Sequence, residues 1–325
     1  MNNKATHQHL TYFDFWRGIA IVMVVSIHVG ISNDSNFFLS SLNLLFRFLC
    51  NGAVPIFLAI SGFFLAKKSI VDRSELLSFY SKRISNVYIP MLFWSVPLYC
   101  LAVLNGAHPL KGTLKLFMGW YSVYYFIILI IQCYVFLPLI KRNLKVSLLL
   151  SWLLTLLSWI SINYVFPPLP LVVYAGPITT WGIFFVLGVC LSQKKRNYSI
   201  LIPSLIILLG VGLQFLEVRY LNAPVGQKIS AVISNIGIVL LMFSSNLQIK
   251  YVSQNWICKT FDYLGRKSFG IYLIHCYFID LLSHFVGLRL WSLRCLIVIL
   301  CSVILAHFTK RFLPSQFCSK YLGFK

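Results

Sequence analysis

About ten times along its 325 residues this sequence stays apolar for the roughly 20 residues a helix needs to cross a bilayer. The runs lie near 15–32, 46–66, 87–104, 117–140, 146–163, 171–191, 199–216, 229–245, 268–286 and 292–309. The gaps between them are too short to hold a soluble domain. Hydrophobic residues make up 59% of the chain and charged residues 11%. A soluble globule lacks the polar cover for that much apolar surface. An ordinary cytosolic enzyme, a disordered chain and a secreted disulfide module are therefore excluded. The expected fold class is all-α: a polytopic helical membrane protein forming one embedded domain over 1–325. Nine Cys show no paired spacing, and Cys133, Cys276 and Cys301 fall inside apolar runs, so they read as small buried hydrophobes.

The net charge is +21, from 28 Lys+Arg against 7 Asp+Glu. Basic residues sit in short gaps, not on a soluble face, which argues against nucleic acid as a partner. Counted over alternate gaps, 21 of them fall on one side and 7 on the other. The bias of Lys and Arg toward cytoplasmic loops then places both termini in the cytoplasm. It also places the loops 67–86 and 246–267 there, with 105–116 and 217–228 outside. Asp14 and Arg17 at the start of the first run, with no cleavage pattern after it, argue against a removed signal peptide.

An ionisable side chain inside a span is costly unless paired or hydrated, so each is a candidate for function. Those present are Asp14, Arg17, His28, His275, Asp280, His284 and His307. Arg17 and His28 are eleven residues apart, about three helical turns, so both point from one helix face about 16 Å apart. Asp14 is placed to pair with Arg17 at i,i+3. Snorkelling of Arg17 and an interhelical bond from His28 account for the same spacing. In the second run, Pro55 can kink the helix, and Ser61-Gly62 admits either a neighbouring backbone or a ligand. Lys67, Lys68, Arg73, Lys82 and Arg83 make a basic loop, with Arg83 and Tyr88 at the mouth of the third span. Such a cluster suits either cofactor phosphates or topology and anionic lipid. Ser268, Tyr272 and His275 share the start of the ninth run, and Asp280 and His284 read as an interhelical polar pair. No metal-ligand spacing, Walker loop, dinucleotide-binding glycines or nucleophile elbow is present.

Five blocks together resemble the acyltransferase-3 family of integral membrane acyltransferases. FDFWRGIAIVMVVSIH resembles its opening, with Arg17 and His28 at the family's R-x10-H spacing. PIFLAISGFFL, YSKRISNVYIP, YSVYYFIILIIQCYVFLPLI and LGRKSFGIYLIH resemble its later blocks, in family order. Asn86 stands where the family often has a second Arg, and Tyr124 or Tyr125 where it often has Trp. A C-terminal esterase-like domain found in some members is absent after the last run, so transfer is expected to finish in the membrane domain or with a partner.

The resemblance implies transfer of an acyl group, usually acetyl, from cytoplasmic acyl-CoA to a hydroxyl of a cell-surface carbohydrate such as O-antigen, capsule or exopolysaccharide. The expected site is a bacterial inner membrane. No permanently bound cofactor or metal is implied; acyl-CoA is a substrate, and the other partners are a glycan or lipid-linked glycan and the bilayer. His28 is the expected base or covalent carrier, with Arg17 and Asp14 beside it in the catalytic set. Arg83, Ser61 and Tyr88 are expected to bind the donor, and Tyr124, Tyr125 and His275 to line the cavity. No extra deep cation is evident for a larger anionic acyl group, which favours acetyl. A transporter or flippase for a lipid-linked sugar, which also needs polar groups in its bundle, is the alternative.

Overall fold

A computed structural model describes residues 2–30, 37–68, 72–166, 169–193, 199–244, 247, 255–285 and 290–324, without the side chains of 2–10, 37–39, 284 and 285. Among these residues the regular structure is helical. The main elements are α1 (Asn2–Val29), α2 (Phe37–Cys50), α3 (Ala53–Ala66), α4 (Arg73–Leu104), α5 (Pro109–Phe117), α6 (Tyr125–Arg142) and α7 (Leu144–Ile160). They continue as α8 (Leu171–Ala175), α9 (Ile178–Gln193), α10 (Leu201–Tyr220), α11 (Ile229–Met242), α12 (Trp256–Phe285) and α13 (Trp291–Phe312). Among the described residues, eight segments are long and apolar enough to cross a membrane. Of the other two expected runs, one is the shorter apolar α11 and the other is α12, whose Ser268, Tyr272, His275 and Asp280 interrupt its apolar sequence.

Helices α3 and α9 form the middle of the bundle. Gly62 and Gly188 let them touch: an added methyl would sit 2.2 Å from the Phe185 carbonyl oxygen or 2.1 Å from that of Ala59. Small residues of this kind bring membrane helices into contact where lipid gives no hydrophobic drive. Helices α4, α7 and α10 are peripheral and turn residues such as Leu104, Leu149, Leu157 and Leu208 outward.

Three expectations change. The chain between the second and third spans is mostly helix, because Asp72 caps α4 by accepting from the Glu75 backbone N–H at 2.7 Å. That bond, with another from Ser74, holds the exposed Asp72 carboxyl below the usual range. At 32 residues, α4 is about 48 Å long. Second, the break in the second span is at Asn51-Gly52, and Pro55 lies in the first turn of α3, where a missing N–H costs nothing. Third, residues 256–267 of the expected loop 246–267 are the first turns of α12. The C-terminal residues pack onto the bundle. Cys318, Leu322 and Phe324 are buried, and the Trp94 indole donates to the Leu322 carbonyl at 3.1 Å.

Most of the remainder of the expected loop 246–267 and the basic turn 194–196 lie outside the described residues, as does the side chain of His284.

Candidate functional site: two chambers on one helix pair

The site begins where α1 crosses α12. A methyl on Gly18 would lie 2.0 Å from the Phe261 carbonyl oxygen, and one on Gly265 would lie 1.7 Å from that of Asp14. Glycine is the residue that permits this approach. The crossing puts Asp14 and Arg17 beside 265–268, and one helix pair then brings His28 beside His275. Their rings are 5.4 Å apart between centroids. Arg17 donates to Asp14 at 2.8 Å, the pairing expected from their spacing, and lies over the Phe64 ring at 5.6 Å.

At the Arg17 end of α1 is a cavity of about 760 Å³. Asp14, Arg17, Ser61, Tyr134, Arg266, Lys267 and Ser268 contribute polar groups to it. Its wall therefore carries three cationic side chains against one carboxylate.

At the other end of α1 is a cavity of about 690 Å³. His28, Arg47, Asn51, Tyr125, Tyr174 and Gln227 supply polar atoms to it, and the buried Trp159 and Trp181 lie behind its wall. Among the described residues His28 makes no hydrogen bond, so its imidazole is presented to the cavity. His275 differs: it is wholly buried, and its Nδ1–H donates to the Tyr272 carbonyl at 2.7 Å. That bond leaves its Nε2 as the acceptor, 3.5 Å from the Cys276 sulfur. His275 thus backs His28 without being among the cavity-lining residues.

Phe57, Phe126 and Tyr272 line both cavities. The Tyr272 hydroxyl donates to the Val123 carbonyl, and its ring meets Phe126 edge-on at 5.6 Å. These three aromatic residues form the partition between the chambers.

The structure brings together Asp14, Arg17 and Ser61 in one chamber, and His28 and Tyr125 in the other. It directs four expected residues elsewhere, the first being His275 behind His28. Tyr124 is buried, and its hydroxyl donates to the Leu273 carbonyl at 2.7 Å instead of reaching a cavity. Tyr88 donates to the Phe117 carbonyl at 3.0 Å, turning toward the end of α5. Arg83 is exposed on α4 outside both linings, although it lies within electrostatic reach of Tyr134, which lines the first.

Sequence reasoning missed Arg47, Arg266 and Lys267 as lining residues. Arg266 and Lys267 lie in the block LGRKSFGIYLIH, and by sequence they read as loop charge. Arg47 reads the same way, although it interrupts the apolar stretch FRFLC, which is the signal that marks it. Its presence also removes the argument for acetyl that no deep cation stands ready.

The chemistry available is a basic chamber suited to phosphates, a second chamber with an accessible imidazole, and an aromatic partition between them. The acyltransferase-3 family model, described as an acyltransferase domain, matches residues 10–315. No curated protein and no solved structure matches the chain.

Proposed function

The chain belongs to the acyltransferase-3 family and is a multi-pass membrane acyltransferase; from that premise we propose that it O-acetylates a cell-surface carbohydrate with acetyl-CoA as donor. The observation that supports this reading is the pair of chambers meeting at Phe57, Phe126 and Tyr272, one basic and the other holding His28. In the proposal, the basic chamber faces the cytoplasm of a bacterial cell, in keeping with the bias of Lys and Arg. Arg17, Arg266 and Lys267 would receive the phosphates of acyl-CoA there, with Ser61 alongside the pantetheine arm. The arm is thin enough to bring its thioester to the aromatic partition.

The acceptor glycan, such as O-antigen, capsule or exopolysaccharide, would enter the other chamber, where the half-buried rings of Tyr125, Phe126 and Tyr174 line the wall. His28 takes the proton of the acceptor hydroxyl as its oxygen attacks the thioester carbonyl. The carbon–sulfur bond breaks, and the CoA thiolate leaves and takes up a proton. In the covalent variant, imidazole nitrogen attacks first, CoA leaves, and the hydroxyl then displaces the acyl group from His28.

Purified protein in nanodiscs, given radiolabelled acetyl-CoA and an alkyl glycoside, tests the reading directly. Label is expected to move to the glycoside, or to water when acceptor is omitted. A well-folded protein that neither transfers nor hydrolyses the label across several glycosides removes the proposal and favours movement of a lipid-linked sugar.

A further inference from the structure

Arg47 is the feature of the His28 chamber that general acyl transfer leaves unused. It is a cation in an apolar bundle, a placement that is costly unless something answers the charge. Among the described residues no carboxylate forms an ion pair with Arg47. Glu217, a carboxylate of the neighbouring α10, already accepts from the Ser230 hydroxyl. Asp34 lies outside the described residues.

What Arg47 does have is a brace. Its Nη1 donates to Asn51 Oδ1 at 2.6 Å. The Asn51 amide in turn donates to Gln214, Val225 and Gly226, each at 3.3 Å. The Gln227 amide donates to the Asn51 carbonyl at 2.5 Å and accepts from Asn235 at 3.2 Å. These bonds tie the guanidinium to the link between α10 and α11. One donor is committed to Asn51, and a guanidinium has five, arranged to meet two oxygens at once. Arg47, Asn51, Gln227 and His28 all line the same cavity.

We propose that the His28 chamber recognises a negatively charged oxygen group, a carboxylate or phosphate, which Arg47 grips while Asn51 and Gln227 hold Arg47 in place. The proposal rests on acyl transfer at His28. The charge can arrive in two ways: on the acceptor, as in an acidic sugar, or on the acyl group, as in the free carboxylate of a succinyl unit. Both use the same cation, and the experiment separates them.

Wild-type protein in nanodiscs is given an alkyl glucuronide or the matching alkyl glucoside with acetyl-CoA, and succinyl-CoA or acetyl-CoA with the glucoside. A charged substrate in one arm is expected to exceed its neutral match in kcat/KM by about tenfold to a hundredfold, as for one buried charge-assisted contact. A preference between sugars assigns the charge to the acceptor, and one between donors assigns it to the acyl group. Arg47→Gln should bring that ratio close to one, and Arg47→Lys should retain part of it. Equal use of charged and neutral partners in both arms by the wild type overturns the inference, whatever the variants do. Ligand-induced shifts of the thermal midpoint are read with the same four compounds. If no pair is turned over, acyl transfer fails as a reading. The shifts then decide the anion question: a charge-selective shift lost in Arg47→Gln supports it, and equal shifts in the wild type refute it.

Discussion

His28 is where a single side chain separates chemistry from packing. It makes no hydrogen bond among the described residues and faces a cavity of about 690 Å³, so removing its ring should not unfold the bundle. His28→Gln is expected to insert and purify like the wild type, and to lose acyl transfer by about a hundredfold to ten-thousandfold, the range for a lost general base. An amide keeps hydrogen bonding but cannot take up the proton. A Gln variant that retains more than about a tenth of the rate would make His28 a packing residue, because that loss falls well short of a lost general base. The donor side has its own contrast. Arg266→Ala should raise the KM for acyl-CoA by about tenfold to a hundredfold, as expected for one charge-assisted contact. Arg83→Ala should raise it less, because Arg83 is exposed on α4 outside the lining. Initial rates against donor concentration, at fixed acceptor, check both. The Asp14, Arg17 and His28 arrangement was readable from spacing because it lies on one helix. The role of Arg266 was not, because a charge at the end of an apolar run looks the same whether it faces solvent or a cavity; Arg47 is marked only by its place inside FRFLC, which does not say what the charge faces. The orientation of Tyr124 and Tyr125 was hidden for a similar reason: adjacent residues on a helix point about 100° apart, and only packing chooses which one faces the ligand.

At the scale of elements, the α1–α12 crossing controls the site. Gly18 lies directly after Arg17, and its missing side chain is what allows α12 to approach. Gly18→Ala places a methyl 2.0 Å from a backbone oxygen, which no rotamer change relieves. The helices must separate at a cost of about 1–3 kcal/mol, typical of overpacking. The expected result is a lower thermal midpoint with a parallel loss of transfer. Gly212→Ala, on α10, is the matched control, because a methyl there meets nothing within 4 Å. Equal stability of the two variants would contradict the tight crossing. The existence of these helices was plain from the apolar runs. Their ends were not: the 67–86 stretch reads as a loop because seven of its twenty residues are charged, whereas Asp72 supplies a cap and the helix begins at Arg73. Position of the second-span break was similarly obscured, since Pro55 drew attention from Asn51-Gly52.

At the scale of the whole molecule, orientation follows from charge. With 21 Lys+Arg expected on one side and 7 on the other, Glu75 should face the cytoplasm and Lys111 the outside. Both are exposed, so single cysteines there are open to reagent. In a background lacking the nine natural cysteines, Lys111→Cys should react with an impermeant thiol reagent added to intact cells, and Glu75→Cys only after permeabilisation. The reverse pattern would invert the bundle and the assignment of each chamber to its substrate. Arg47 and Lys228, counted among the outer charges, are inside the fold: Arg47 lines a chamber, and buried Lys228 donates to the Pro224 carbonyl at 2.8 Å.

The glycine crossing has a mechanical consequence. Arg17 and His28 on α1, and Arg266, Tyr272 and His275 on α12, are borne by two rods in backbone contact, which cannot slide or part without breaking that contact. Substrate entry must therefore be accommodated by the walls facing those rods, α2, α6 and the short α8, which bring Arg47, Tyr125 and Tyr174 to the cavity. Ligand-dependent hydrogen exchange would then register in α2, α6 and α8 while the reacting groups keep one fixed frame of reference throughout the cycle.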